Sequence, residues 1–97
     1  MSALHLVIHG RVQGVGYRHW LLQTANLHKL HGWTRNLTDG TVEAVLSGPD
    51  AALAACLTAC HMGPAYAEVS HIDTHPFQGS LPAGFEVKQT ASPPRQG

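Results

Sequence analysis

At 97 residues the chain has room for one hydrophobic core and not two, and 43% hydrophobic against 12% charged residues excludes general disorder. Six Lys+Arg balance six Asp+Glu, so no broad field favours nucleic acid or an anionic membrane, and any anion site must be local. With no basic-then-apolar leader and no stretch near the roughly 20 apolar residues that span a bilayer, a cytoplasmic protein is expected.

Leu4, Leu6 and Ile8 alternate with His5, Val7 and His9, which predicts a first strand over 3–10 with one face better buried. A glycine-bearing loop, Gln13-Gly14-Val15-Gly16, follows. Tyr17, Trp20, Leu21, Thr24, Ala25 and His28 then recur at helical spacing and predict a helix over about 17–29.

Residues 31–37 suit a second strand, Thr38-Asp39-Gly40 a turn, and 41–46 a return strand with Val42, Ala44 and Leu46 on one face and Thr41, Glu43 and Val45 on the other. Pro49 and Asp50 open a second helix over about 50–61, striped by Leu53, Cys56, Leu57 and Cys60 and stopped by Gly63-Pro64. Four apart on one helix, the two cysteines do not favour a disulfide; they read as core packing in a reducing compartment.

Ala67, Val69 and Ile72 suggest a fourth strand over 65–75 whose imperfect alternation leaves room for a bulge, and a short fifth is expected at 84–88. A single domain is thus expected over 1–90, and residues 91–97, lacking apolar anchors, read as a mobile tail. The order strand, helix, strand, strand, helix, strand matches the α+β, ferredoxin-like split βαβ pattern: an antiparallel sheet of four to five strands with two helices on one face. That architecture hosts many activities, so function must rest on local chemistry.

Gly14 and Gly16 allow backbone angles that turn successive N–H groups inward, and they lead into a helix N-terminus, where unpaired donors and the dipole favour an anion. Arg18, in the first helical turn, adds an always-ionised guanidinium able to grip two phosphate oxygens. Taken alone, two glycines in a short loop more often simply turn the chain.

The run Gly10-Arg11-Val12-Gln13-Gly14-Val15-Gly16-Tyr17-Arg18 resembles the first signature of the acylphosphatase family. Gly32-Trp33-Thr34-Arg35-Asn36, followed by Asp39-Gly40-Thr41-Val42-Glu43, resembles the second, and the likeness covers roughly residues 4–88. It implies a hydrolase that converts an acyl phosphate to a carboxylate and inorganic phosphate. Arg18 would bind the phosphate, the amides of Gln13, Gly14, Val15, Gly16, Tyr17 and Arg18 would cradle it, and Asn36 would orient the attacking water. Where the family commonly has Leu-Gly after helix 1, this chain has His28-Lys29. Lys29 must then accept left-handed strain of about 1 kcal/mol or the helix must end differently, and an inward-looking His28 needs a partner.

The resemblance also implies that no covalent intermediate forms and that the bound phosphate itself accepts the water's proton; His9 and His19 are near in sequence but not required. Cys56, Cys60 and His61 lack zinc-ligand spacing, His61 being turned about 100° from Cys60. Neither a metal nor another cofactor is therefore expected. The expected partner is a small-molecule acyl phosphate, with no nucleic acid and no membrane, and the expected state is a monomer. The competing reading is a non-catalytic phosphate- or anion-binding regulatory module of the same fold. An RNA-binding domain would need exposed aromatics and a basic sheet, and only Trp33 is suggestive.

Overall fold

In the computed structural model, which describes residues 2–93, the alternating N-terminal segment forms β1 (Ser2–Arg11) and leads through the glycine loop into α1 (Tyr17–Leu27). The hairpin strands are β2 (His31–Asn36) and β3 (Val42–Gly48), followed by α2 (Asp50–Met62), β4 (Glu68–Pro76) and a short β5 (Phe85–Val87). The sheet order is β4-β1-β3-β2-β5. The first four strands pair antiparallel, as the split βαβ pattern requires. β5 adds to the far edge parallel to β2, making the five-stranded sheet mixed rather than wholly antiparallel. After β4 the chain runs on to the opposite edge of the sheet, where it meets β2 in the same direction.

Period two decides which side chains enter the core. Leu6 and Ile8 of β1 and Val42, Ala44 and Leu46 of β3 form one buried cluster with Tyr17, Leu21 and Ala25 of α1 and Leu53, Cys56 and Cys60 of α2. Both helices therefore cover the same sheet face, and each large apolar side chain buried there contributes about 1.5–3 kcal/mol. The cysteines are free and buried, as core packing predicts. The neighbouring Cys56 and burial push the Cys60 thiol up, so it stays neutral. The Tyr17 hydroxyl donates to the Cys60 carbonyl at 2.8 Å, which ties the first residue of α1 to the last turns of α2. No helix among the described residues is long and apolar enough to cross a membrane.

The open face is polar. Glu43 is only 3% exposed there, yet both its oxygens are satisfied, by Arg35 Nε at 2.6 Å and His5 Nε2 at 2.7 Å. A buried carboxylate is tolerable only when its lone pairs are met in this way. The expected bulge lies on β4, where His9 faces His71 but Gly10 faces Val69, leaving Ser70 as the extra residue.

Helix α1 ends at Leu27, with His28 as its C-cap and Lys29 just beyond. Lys29 takes φ 57°, its N–H donates to Asn26 O at 3.0 Å, and the Leu30 N–H donates to Ala25 O at 2.9 Å. This pair of bonds is a Schellman motif with lysine in the left-handed position that glycine usually fills. His28 is half-buried, and its ring nitrogens reach solvent, since Asn36 Oδ1 is the sole buried side-chain polar atom without a partner among the described residues. Lys29→Gly should accordingly raise stability by about 0.5–1 kcal/mol. A higher urea midpoint at unchanged m-value would register it.

Of the tail expected over 91–97, Ala91 pairs with the strand β2 continuation: its N–H donates to Asn36 O and its carbonyl accepts from Thr38 N–H, both at 3.0 Å. Residues 94–97 lie outside the described residues.

Candidate active site

The loop from β1 to α1 owes its shape to its glycines. Gly14 and Gly16 take φ 72° and 79°, and Gly16, in left-handed geometry, is the residue from which α1 starts. No side chain among the described residues caps that start. Among the described residues, no backbone N–H from Gln13 to His19 donates to any protein acceptor. A run of unsatisfied donors at a helix N-terminus is a site for an anion, by hydrogen bonding and by the helix dipole together.

These donors border a cavity of about 170 Å³ lined by Val12, Gln13, Gly14, Gly16, Tyr17, Arg18, His19 and Asn36. The structure thus brings Arg18 and Asn36, 18 positions apart in the chain, to one cavity together with the loop. Arg18 is half-buried and, among the described residues, has no carboxylate within 4.0 Å. Its charge is uncommitted. Val15 is the one loop residue that does not line the cavity; it packs against the core beneath the loop. Tyr17 turns its ring into the core, which leaves its backbone for the site. His19 stands at the cavity wall, exposed, whereas His9 lies on the open sheet face beside Asp73.

Asn36 is the last residue of β2 and is fixed from both sides, in register with Val42 of β3 and accepting from Ala91 N–H on the other edge. Its Oδ1 is buried and has no partner among the described residues. An orphan acceptor of that kind costs about 1–3 kcal/mol in a folded protein, and Asn36 lines the cavity beside the loop and Arg18.

One role is invisible in the sequence. The Gln13 side-chain amide donates to Leu37 O and to Thr41 O, both at 2.8 Å. These are the carbonyls that close the β2–β3 turn, where Leu37 N–H also donates to Thr41 O at 2.9 Å. Gln13 therefore bolts the loop onto the hairpin that carries Asn36, and its partners lie 24 and 28 positions away, beyond any local signal. The turn itself is held by Asp39, whose Oδ1 accepts from the Thr41 hydroxyl at 2.6 Å and the Thr41 N–H at 3.0 Å. These bonds hold the Asp39 carboxyl below its ordinary range. The contribution is complete at neutral pH and is lost as pH falls from about 3.9 through the lowered folded value. Gln13→Ala should leave two turn carbonyls without this donor, lowering stability by about 1–3 kcal/mol. Loosening Asn36 against the loop should slow turnover by about 10- to 100-fold. Thermal melts and steady-state kinetics would measure the two effects separately.

A family model described as Acylphosphatase matches residues 4–87. An acylphosphatase of Azorhizobium caulinodans is 60% identical over 89 residues, covering 92% of this chain and 95% of that protein. One of Rhodospirillum rubrum is 46% identical over 88 residues, covering 91% and 97%. The crystal structure of acylphosphatase from Bacillus subtilis aligns with a TM-score of 0.84 at 33% sequence identity, covering 91% of this chain and 99% of that one. The similarity spans the glycine loop, the hairpin and the sheet that joins them, and on it the chain belongs to the acylphosphatase family.

Proposed function

We propose that this chain hydrolyses the carboxyl–phosphate bond of small acyl phosphates, with Arg18 and the Gln13–Arg18 amides holding the phosphoryl group and Asn36 orienting the water. The observation that carries this reading is that Asn36 lines the same cavity as the unpaired loop amides and Arg18. The loop and Arg18 offer donors and positive charge, which suit a phosphoryl group. A neutral carboxamide adds no charge toward holding an anion. It suits a water that donates one hydrogen to Asn36 and turns a lone pair toward phosphorus. A module that only binds anions has no use for a water-positioning amide beside the cradle, so the catalytic reading is favoured over the regulatory one.

The chemistry asks little more of the protein. The leaving group is a carboxylate, whose conjugate acid has a pKa near 4, so it departs without a general acid. Fixed donors around the phosphoryl oxygens stabilise the charge that shifts there in the transition state and need not reorganise. Holding the water in line converts a bimolecular encounter into a positioned one. A phosphoryl oxygen, with a second pKa near 6, can take the water's proton, so no side-chain base is required. On this reading the enzyme works as a cytoplasmic monomer without metal, cofactor, nucleic acid or membrane.

The test is hydrolysis of benzoyl phosphate by the purified protein with and without EDTA. Turnover that survives the chelator is expected. Absence of turnover would remove the enzymatic reading, and loss of turnover on adding EDTA would remove the metal-free one.

A further inference from the structure

The open face of the sheet carries a group that the hydrolytic site does not use. His9 on β1 and His71 on β4 are cross-strand partners, and their rings stack with centroids 4.0 Å apart and planes 11° from parallel. Both turn Nε2 toward one oxygen, Asp73 Oδ2, at 2.9 Å from His9 and 3.8 Å from His71. We propose that His9, His71 and Asp73 form a binding site for a late first-row divalent cation, of which zinc is the type, that pins edge strand β4 to β1.

The bulge builds this site. Val69 and Ile72 both pack against the helix-side core, although strict alternation would put them on opposite faces. The extra residue at Ser70 resets the alternation, and His71 and Asp73 come out on the face of His9. Without the bulge His71 would share the face of Val69. Re-aiming a side chain is what β-bulges commonly do.

The donor set is two imidazoles and one carboxylate, which suits zinc and its neighbours better than magnesium or calcium. The three ligand atoms already lie within 4.8 Å of one another. Tetrahedral zinc with bonds of about 2.0–2.2 Å sets its ligand atoms about 3.3–3.6 Å apart. The His9–Asp73 separation must open by about half an ångström and the widest gap close by little more than an ångström. His71 and Asp73 are exposed and His9 is half-buried, so rotation about side-chain bonds suffices, with the stacked rings splaying so that both lone pairs meet the ion. The ion takes the place of the proton between His9 Nε2 and Asp73, the imidazole remaining neutral with its proton on Nδ1. The fourth position faces solvent. The thiols of Cys56 and Cys60 do not compete, being buried on the other side of the sheet. None of the three ligands lines the hydrolytic cavity.

Calorimetric titration of the whole protein with zinc chloride in a non-chelating buffer tests the site, with imidazole proton NMR to locate the ion. One zinc per chain is expected, with the signals of His9 and His71 moving together and the melting temperature rising as zinc exceeds its Kd. His71→Gln and Asp73→Asn should each weaken binding at least about tenfold, since loss of even an outer-shell partner costs about 10- to 100-fold. His61→Gln, on the exposed end of α2, should bind as wild type does. Both ligand positions are exposed, so the variants should fold, and a melt without metal checks this. No zinc binding by wild type, or equal binding by His71→Gln, would overturn the proposal, whatever the outcome of the hydrolysis assay.

Discussion

Arg18→Gln is expected to lower kcat/KM for benzoyl phosphate by about 10³-fold or more, and to weaken inorganic phosphate as a competitive inhibitor as well. The size follows from what the side chain supplies. The protein has a formal net charge of zero, so no long-range field replaces a lost local cation, and among the described residues Arg18 has no carboxylate competing for it. A guanidinium placed on a transferring phosphoryl group accounts for about 10³–10⁵ in rate in other phosphoryl-transfer enzymes, which at 1.36 kcal/mol per decade is at least about 4 kcal/mol. Glutamine keeps two donors and much of the volume and removes the charge. The fold should be unaffected, because Arg18 is half-buried and its guanidinium makes no hydrogen bond or ion pair within the described chain. Phosphate inhibition equal to that of wild type would show that the anchor lies elsewhere.

Asn36→Ala should divide the two functions of the cavity. Phosphate should inhibit nearly as strongly as before, since the loop amides and Arg18 remain, while kcat falls by about 10²- to 10³-fold through loss of the positioned water. Removing the orphan acceptor also removes its burial cost of about 1–3 kcal/mol, so the variant should be no less stable than wild type and could melt higher. Slower turnover paired with unchanged or greater stability marks a residue kept for chemistry. If kcat held while KM rose instead, Asn36 would be a binding residue and water would be oriented by some other group, for which exposed His19 at the cavity wall is the nearest candidate.

The reach of the sequence can be followed residue by residue. Strand alternation in β1 and helical spacing in α1 and α2 are local signals, and the elements they predict form within a residue or two of the expected ends. Lys29 was legible as a point of strain, because a helix stop without glycine leaves few conformations, and it takes the left-handed one. The loop glycines and Arg18 were legible as a possible anion site for the same reason: donors, dipole and charge are adjacent in the chain.

What local chemistry could not decide was anything that depends on which strands lie side by side. The parallel pairing of β5 with β2, and with it the brace that Ala91 puts on Asn36, comes from a chain that has crossed to the far edge of the sheet. Gln13 gained its role only when the hairpin arrived beside the loop, and the His9–His71–Asp73 group exists because one extra residue at Ser70 turns β4 over. By itself, then, the sequence determined the elements, the core faces and the chemical types at the site, since these follow from backbone preference and side-chain period. The tertiary structure alone decided that Arg18 and Asn36 share one cavity, because that depends on strand order and register, and hydrogen bonds between distant segments leave no trace in local pattern.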